Sequence, residues 1–248
     1  MADNTIAVDS DGTEQDRLDI VHHICGLLLG GRLHTAPINP NPQKILDIGT
    51  GTGIWAIDAG EVPPNVQFQI DDAENEWTWA KDTFDLIHIR HLNGSIKDWS
   101  AFLKQVYKHL KPGGYVYLHE YDVDLFSDDG TYTDKLFLFR YYALLNEAAA
   151  KSGRAFKPGA GMKRFFNDAG FDDVHYDMKK CPFGTWPADP KQKEIGAFCL
   201  LTAENAFEAF SLALLTRVLE MPIEDVQKLI EGTKKDSRNR KIHSYSKQ

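Results

Sequence analysis

Cysteine is scarce in this 248-residue chain: Cys25, Cys181 and Cys199 are odd in number and far apart along the sequence. That excludes a disulfide-stapled scaffold and fits reduced thiols, so a cytosolic or nuclear protein that is not secreted is expected. Positive charge is in deficit too. With 28 Lys and Arg against 36 Asp and Glu, the net charge is −8, and no general basic field draws the chain to nucleic acid or an anionic membrane. The sequence reads as lacking any apolar run near the ~20 residues of a membrane span. The N-terminus, with Asp3, Asp9, Asp11 and Glu14, is acidic and polar, unlike a signal or transit peptide. A small substrate or a protein partner remains, and the length suffices for one full core.

What is present is an alternation of strand-like and helix-like segments. Residues 1–14 read as disordered. A helix is expected from Gln15, with Leu18, Val21, Ile24 and Leu28 on one face and Gly30-Gly31 ending it. Pro37, Pro40 and Pro42 then make an extended linker. Strands are expected at 44–48, 66–70, 84–89, 115–119 and 171–181, and helices at 98–110, 132–151, 160–169, 203–219 and 223–235. Lys111-Pro112-Gly113-Gly114 is a breaker, and 241–248 reads as a basic, polar tail. Alternating strands and helices predict a doubly wound α/β sheet. The domain runs over 15–240: an N-terminal helix at 15–31, a cofactor half at 44–120 and a helical, acceptor half at 121–240.

The most informative run is 44–58. An apolar strand (Ile45, Leu46, Ile48) ends in three alternating glycines, Gly49, Gly51 and Gly53, before a helix-like stretch. Glycines there permit positive φ and let a ligand lie on the backbone, with helix N–H groups facing it. Asp47 places a carboxylate beneath the turn. It repels a pyrophosphate and suits the α-ammonium of an amino-acid-like ligand, which points to S-adenosylmethionine (SAM). A rival reading fits as well: Gly51-Thr52-Gly53-Ile54-Trp55-Ala56 matches the dinucleotide pattern, and Asp71 follows at the NAD ribose spacing. A plain structural turn is the third reading. Ligands of open α/β sheets sit at the carboxyl ends of strands. There Asp72-Ala73 suits adenine, the carboxylate accepting from the exocyclic amine and the Ala73 N–H reaching a ring nitrogen.

Several motifs in one order carry a family resemblance. They are 16–23 (DRLDIVHH), 46–58 (LDIGTGTGIWAID), 66–77, 87–90 (IHIR), 94–99 (GSIKDW), 109–114 (HLKPGG) and 210–217 (FSLALLTR). The chain resembles the fungal LaeA-like SAM-dependent methyltransferases, a family of velvet-associated regulators of secondary metabolism and small-molecule tailoring enzymes. The resemblance implies a Rossmann-like Class I sheet, mostly parallel, with helical additions. It implies SAM bound by Asp47, Gly49, Thr50, Gly51, Gly53, Asp71, Asp72, Ala73 and Arg90. It also implies a small-molecule or protein methyl acceptor, a possible regulatory protein partner, and no direct nucleic-acid or membrane binding.

Two departures stand out. Only 54–65 separate the glycine turn from the 66–70 strand, room for one short crossover and not for the helix, second strand and further helix that the family places there. The absent strand normally carries the acidic residue for the SAM ribose. The chain also stops at Gln248, where the family continues into a final strand, so a spliced, truncated or misread gene product is one expectation. One repair is that 66–70 pairs directly with 44–48, bringing Asp71 or Asp72 to the ribose position.

For proton removal from the acceptor the candidates are His91, just past a strand end, then His119 and Glu120 at the end of the next. Each has a plain structural reading as well. His22 and His23 could cap the cofactor site. The apolar helix carrying Leu136, Phe137, Phe139, Tyr141, Tyr142, Leu144 and Leu145 either walls an acceptor pocket or simply packs. No metal site is expected, because His88-x-x-His91 lacks a third ligand at a known spacing. The competing functional readings are a catalytically impaired relative that regulates by binding proteins and an NAD(P)-dependent oxidoreductase, the latter disfavoured by Asp47.

Overall fold

The structure is a computed structural model describing residues 12–39, 41–42, 44–60, 66–154 and 159–248. The expected disorder of 1–14 lies mostly outside the described residues; 12–14 already belong to the first helix. The helices are α1 (Gly12–Leu28), α2 (Ile54–Ala59), α3 (Trp99–His109), α4 (Phe137–Lys151), α5 (Gly159–Ala169), α6 (Pro190–Arg217) and α7 (Ile223–Ser237). The strands are β1 (Ile45–Ile48), β2 (Phe84–Arg90), β3 (Leu110–His119), β4 (Lys180–Phe183) and β5 (Ser244–Lys247).

Two sheets result. β1, β2 and β3 form a parallel sheet in that order, and β4 and β5 an antiparallel pair. Helices lie against the parallel sheet, the α/β architecture expected. β2 is central and buried, with Leu86, Ile87 and Ile89 shielded from water, as a strand covered on both faces must be. α3 presses Phe102, Leu103 and Val106 onto it, and Met162 and Phe166 of α5 close that layer. Each such side chain contributes about 1.5–3 kcal/mol by burial. A second core joins α4, α6 and α7 around Leu138, Tyr141, Leu145, Phe207 and Leu215.

The sequence expectations need several corrections. Residues 66–70 are not a strand. They run as exposed coil, Phe68 at 71% and Ile70 fully open. The hypothesis that they pair with 44–48 therefore fails. All five residues of the run are exposed, so no face of it is buried against the sheet to hold it as a strand, and the Phe68 ring lies against Gly53 at the carboxyl end of β1 instead. Among the described residues nothing pairs with the outer edge of β1.

Lys111–Gly114 does not break the chain but is absorbed into β3 as an irregularity, the register jumping between Phe84 and Leu86. A Cβ at Gly114 would meet the carbonyl oxygens of Lys111 and Phe84 at 3.0 Å, tighter than an ordinary contact, so glycine eases the close passage of the strand there. Of the 171–181 strand only Lys180–Phe183 forms; Tyr176 and Met178 are exposed on coil. The polar tail is also wrong: 244–247 form β5, paired to β4 and bridged to Phe126. The expected 203–219 helix begins far earlier, because Asp189 caps the N–H of Gln192 at 2.8 Å and Pro190 opens the first turn. α6 is long and apolar enough to cross a membrane by length and composition, contrary to the sequence reading. Here it is a packing helix, with Ile195, Phe207 and Leu215 buried. α4 likewise spends Leu138, Tyr141 and Leu145 on the core rather than on a cavity wall.

Candidate functional site

The glycine turn folds as the sequence dictates. Gly49, Gly51 and Gly53 have φ of +73°, +58° and +82°. The φ of Gly49 fixes glycine there, and a Cβ would stand 2.6 Å from Leu92 Cδ2 and push that side chain aside. Thr50 Oγ1 donates to the Asp47 carbonyl at 2.9 Å, and the Gly53 N–H donates to the Thr50 carbonyl at 3.0 Å. Thr52 Oγ1 donates to Asp19 Oδ1 at 2.7 Å, fastening α1 over the turn. With six residues, α2 is too short for its dipole to matter, and the backbone of the turn carries the recognition.

Asp47 and His88 are register partners on β1 and β2, so their side chains leave the sheet on the same face. His88 Nδ1 lies 2.7 Å from Asp47 Oδ1. The imidazole is sandwiched between Trp55, at 3.8 Å between ring centroids, and Tyr117, at 5.7 Å. Burial pushes the His88 pKa down, and the Asp47 hydrogen bond only partly opposes this. Asp47 Oδ2 is shielded from water and has no hydrogen-bond partner. A buried anionic oxygen left unpaired is costly, and an ammonium group laid on the glycine turn would relieve it. The amino-acid end of SAM therefore fits these residues.

The nucleoside end does not fit as well. Asp71 and Asp72 are exposed, and their carboxylates are turned back on their own loop: Asp71 Oδ1 accepts from the Asp72 N–H, and Asp72 Oδ1 from the Glu74 N–H. The Ala73 carbonyl accepts from Trp77 Nε1 at 2.9 Å, and among the described residues no strand on the outer side of β1 brings an acidic side chain to the turn. A cleft of about 320 Å³ lies on the outer side of β1, lined by Leu33, His34, Ile38, Ile45, Trp55 and Ala59 among others. None of the sequence-predicted site residues lines it. Arg90 donates from Nη1 to His22 Nδ1 at 3.0 Å, and His22 Nε2 then donates to Asp58 Oδ2 at 3.0 Å. This relay ties α1, α2 and β2 together, and His22 thereby stands beside the site. His23 turns away, its ring edge-on to Phe198 at 4.8 Å.

His91, His119 and Glu120 are brought together at the carboxyl ends of β2 and β3. The His91 N–H donates to the His119 carbonyl at 3.0 Å, and His91 holds a left-handed φ of +54°, strain that persists only where the surroundings impose it. Glu120 Oε1 accepts the Leu92 N–H at 2.5 Å, while Oε2 is buried without a partner. Burial pushes the Glu120 carboxyl up to about 8 and the His119 imidazole down to about 4. Leu92 thus links the two halves of the site, its N–H on Glu120 and its side chain on Gly49.

Sequence reasoning missed the Asp47–His88 pair, although two strands each carrying a polar residue at their buried ends are a usable signal. It also missed the approach of Cys25 to His91 and His119, and of Cys181 to Cys199, whose sulfurs lie 3.1 Å apart. No spacing rule joins residues so distant in sequence.

A parallel α/β sheet whose first strand ends in a three-glycine turn above an acidic residue defines a Class I, SAM-dependent methyltransferase. Residues 20–176 match the profile of the methyltransferase domain. The chain belongs to that family, within its LaeA-like branch. Methyltransferase pytC of Aspergillus terreus is 38% identical over 95% of this chain and 78% of its own length. The secondary metabolism regulator LAE1 of Cochliobolus heterostrophus is 34% identical over 95% of this chain and 85% of its own. The solved phosphoethanolamine N-methyltransferase 2 of Haemonchus contortus, with S-adenosylhomocysteine, overlaps 94% of this chain and 51% of its own at 19% identity and a TM-score of 0.46. The alignment to pytC spans 255 positions while covering 95% of a 248-residue chain. About twenty positions of that relative therefore have no counterpart here.

Proposed function

We propose that this methyltransferase acts in the cytosol or nucleus on a small-molecule acceptor of secondary metabolism, with Glu120 taking the acceptor's proton. One observation carries the reading. Glu120 presents an unpartnered, buried Oε2 at the same strand ends as the glycine turn, and Leu92 fixes its distance from Gly49. SAM supplies an activated methyl group on a sulfonium. The chain supplies position and a dry environment, and a general base only where the acceptor must lose a proton. The strand ends that carry Glu120 are crowded by rings, His91 packing edge-on against both His119 and Tyr121, which favours a slender acceptor over a folded protein surface.

The test is incubation of the pure chain with methyl-labelled SAM and two acceptor pools, low-molecular-weight phenols, indoles and amines in one, and intact proteins in the other. Label should enter the small-molecule pool, and Glu120→Gln should slow it by about 10²–10⁴-fold. Label confined to protein, or an unchanged rate in Glu120→Gln, overturns the assignment. A second reading, a regulator that works by binding protein, is favoured by the outer edge of β1, which no described strand covers, and by the exposed Phe68 and Ile70. A folded chain showing no SAM binding by calorimetry would select it.

A further inference from the structure

Cys25 of α1, His91 after β2 and His119 at the end of β3 converge although 66 and 28 residues separate them in turn. One ligand atom from each lies within 4.8 Å of the other two. Two of these side chains, Cys25 and His119, are more than nine-tenths buried. His91 Nε2 and His119 Nδ1 are both shielded from water and have no hydrogen-bond partner. Buried imidazole nitrogens without partners are uncommon, because each costs the desolvation of a polar atom with nothing in return.

The remaining nitrogen of His119 sharpens the point. His119 Nε2 donates to Gln248 Oε1 at 3.1 Å, which places the ring proton on Nε2 and leaves Nδ1 as a bare lone pair. A ring held by one N–H on an amide oxygen, its other nitrogen buried with no partner, is the arrangement found around bound metal ions. Gln248 is itself anchored: its backbone N–H and carbonyl pair with Lys179 at 3.0 and 2.7 Å.

We propose that Cys25, His91 and His119 bind a thiophilic d¹⁰ cation, Zn²⁺ or Cu⁺, with Gln248 as the positioning residue for His119. One thiolate and two imidazoles suit both ions. At bond lengths of about 2.3 Å to sulfur and 2.0–2.1 Å to nitrogen, ligand atoms around one ion stand roughly 3.5–4 Å apart. The three side chains therefore draw in by about 1 Å on binding, and the Cys25 proton passes to solvent. The Arg90 guanidinium acts on Cys25, His91 and His119 alike. A Cu⁺ complex with one thiolate is neutral beside that guanidinium, whereas the Zn²⁺ complex keeps one positive charge, so Cu⁺ is expected to bind more tightly. The site is independent of the methyl-transfer reading. It leaves Glu120 as the proton acceptor.

The experiment uses the full chain, chelator-stripped and reduced. Zn²⁺ is titrated against a chromophoric chelator and Cu⁺ against bicinchoninate. One equivalent of at least one ion should be retained, and X-ray absorption on that sample should show one sulfur and two imidazole ligands. Cys25→Ala should abolish retention, and Gln248→Ala should weaken it about ten- to hundredfold. Cys181→Ser and Cys199→Ser, which alter the neighbouring sulfur pair, should leave it intact. No retained equivalent, retention unchanged in Cys25→Ala, or a sulfur shell that disappears with Cys181 or Cys199 overturns the proposal. The absorption measurement needs no variant and so stands even if Cys25→Ala does not fold.

Discussion

The two ends of the cofactor cradle differ in how they are made. At the amino-acid end, Asp47 to Gly53 is held by β1, by register with β2, by the Trp55–His88–Tyr117 stack and by Asp19 from α1. At the nucleoside end, 66–73 is an exposed loop whose carboxylates bond to their own backbone. Both segments carry family-like residues, yet only the one enclosed by neighbours presents an unsatisfied group to a ligand. A motif becomes a site when surrounding elements deny its polar atoms any other partner. Among the described residues no strand lies on the outer side of β1, and this separates the two ends.

The largest effect is expected at the glycine turn. Gly51 has φ +58° with Leu18 Cδ1 3.5 Å from where its Cβ would stand. Gly51→Val puts a branched side chain on the backbone that SAM must touch and adds about 1–3 kcal/mol of strain. SAM binding by calorimetry should vanish while the circular dichroism spectrum persists. Unchanged affinity would remove the turn from the site.

Next is the repair of the poor end. Inserting about twenty residues after Ala59, shaped as a helix and a strand with an acidic end, should pair the outer edge of β1 and supply a ribose carboxylate. Charge-assisted hydrogen bonds of about 1.5–3 kcal/mol correspond to SAM binding about ten- to a hundredfold tighter. The parent chain should bind SAM weakly, turn over slowly and self-associate through its free edge, all of which the insertion should improve. Micromolar SAM affinity in a monomeric parent would show that the loop at 66–73 compensates.

Asp47→Ala should weaken SAM by about 1–3 kcal/mol, the loss of a charged partner, with a thermal shift that stays small. The His88 imidazole next to it gives a pH signature. Its folded pKa lies below the usual 6.5 because burial disfavours the cation, so the unfolded chain takes up its proton first as pH falls. Stability contributed by this group is complete above about pH 6.5 and is lost progressively below it. His88→Asn should flatten that part of the melting-temperature profile, and an unaltered slope would locate the effect elsewhere. The smallest change is expected at the exposed end: Asp72→Asn should alter SAM affinity and stability by less than about 0.5 kcal/mol, as for ordinary surface substitutions. A loss of tenfold or more would place Asp72 on the nucleoside after all.

Local chemistry explains what could be read in advance. Gly49, Gly51 and Gly53 need positive φ whatever surrounds them, and Trp99, Phe102, Leu103 and Val106 announce a helix face by spacing alone. Asp189-Pro190 marked the start of α6 equally well, and the sequence reading passed over it. Residues 66–70 alternate like a strand, but a strand exists only with a partner edge, and here all five stay exposed and unpaired. The sequence by itself determined the parallel α/β class, the glycine turn and the methyltransferase family, because each depends on a few neighbouring residues. Only the tertiary structure decided that Asp47 shares its carboxylate with His88, that β5 closes on β4, and that Cys25, His91, His119 and Gln248 meet. Those contacts depend on where distant strands end in space, and the order of residues along the chain does not encode that locally.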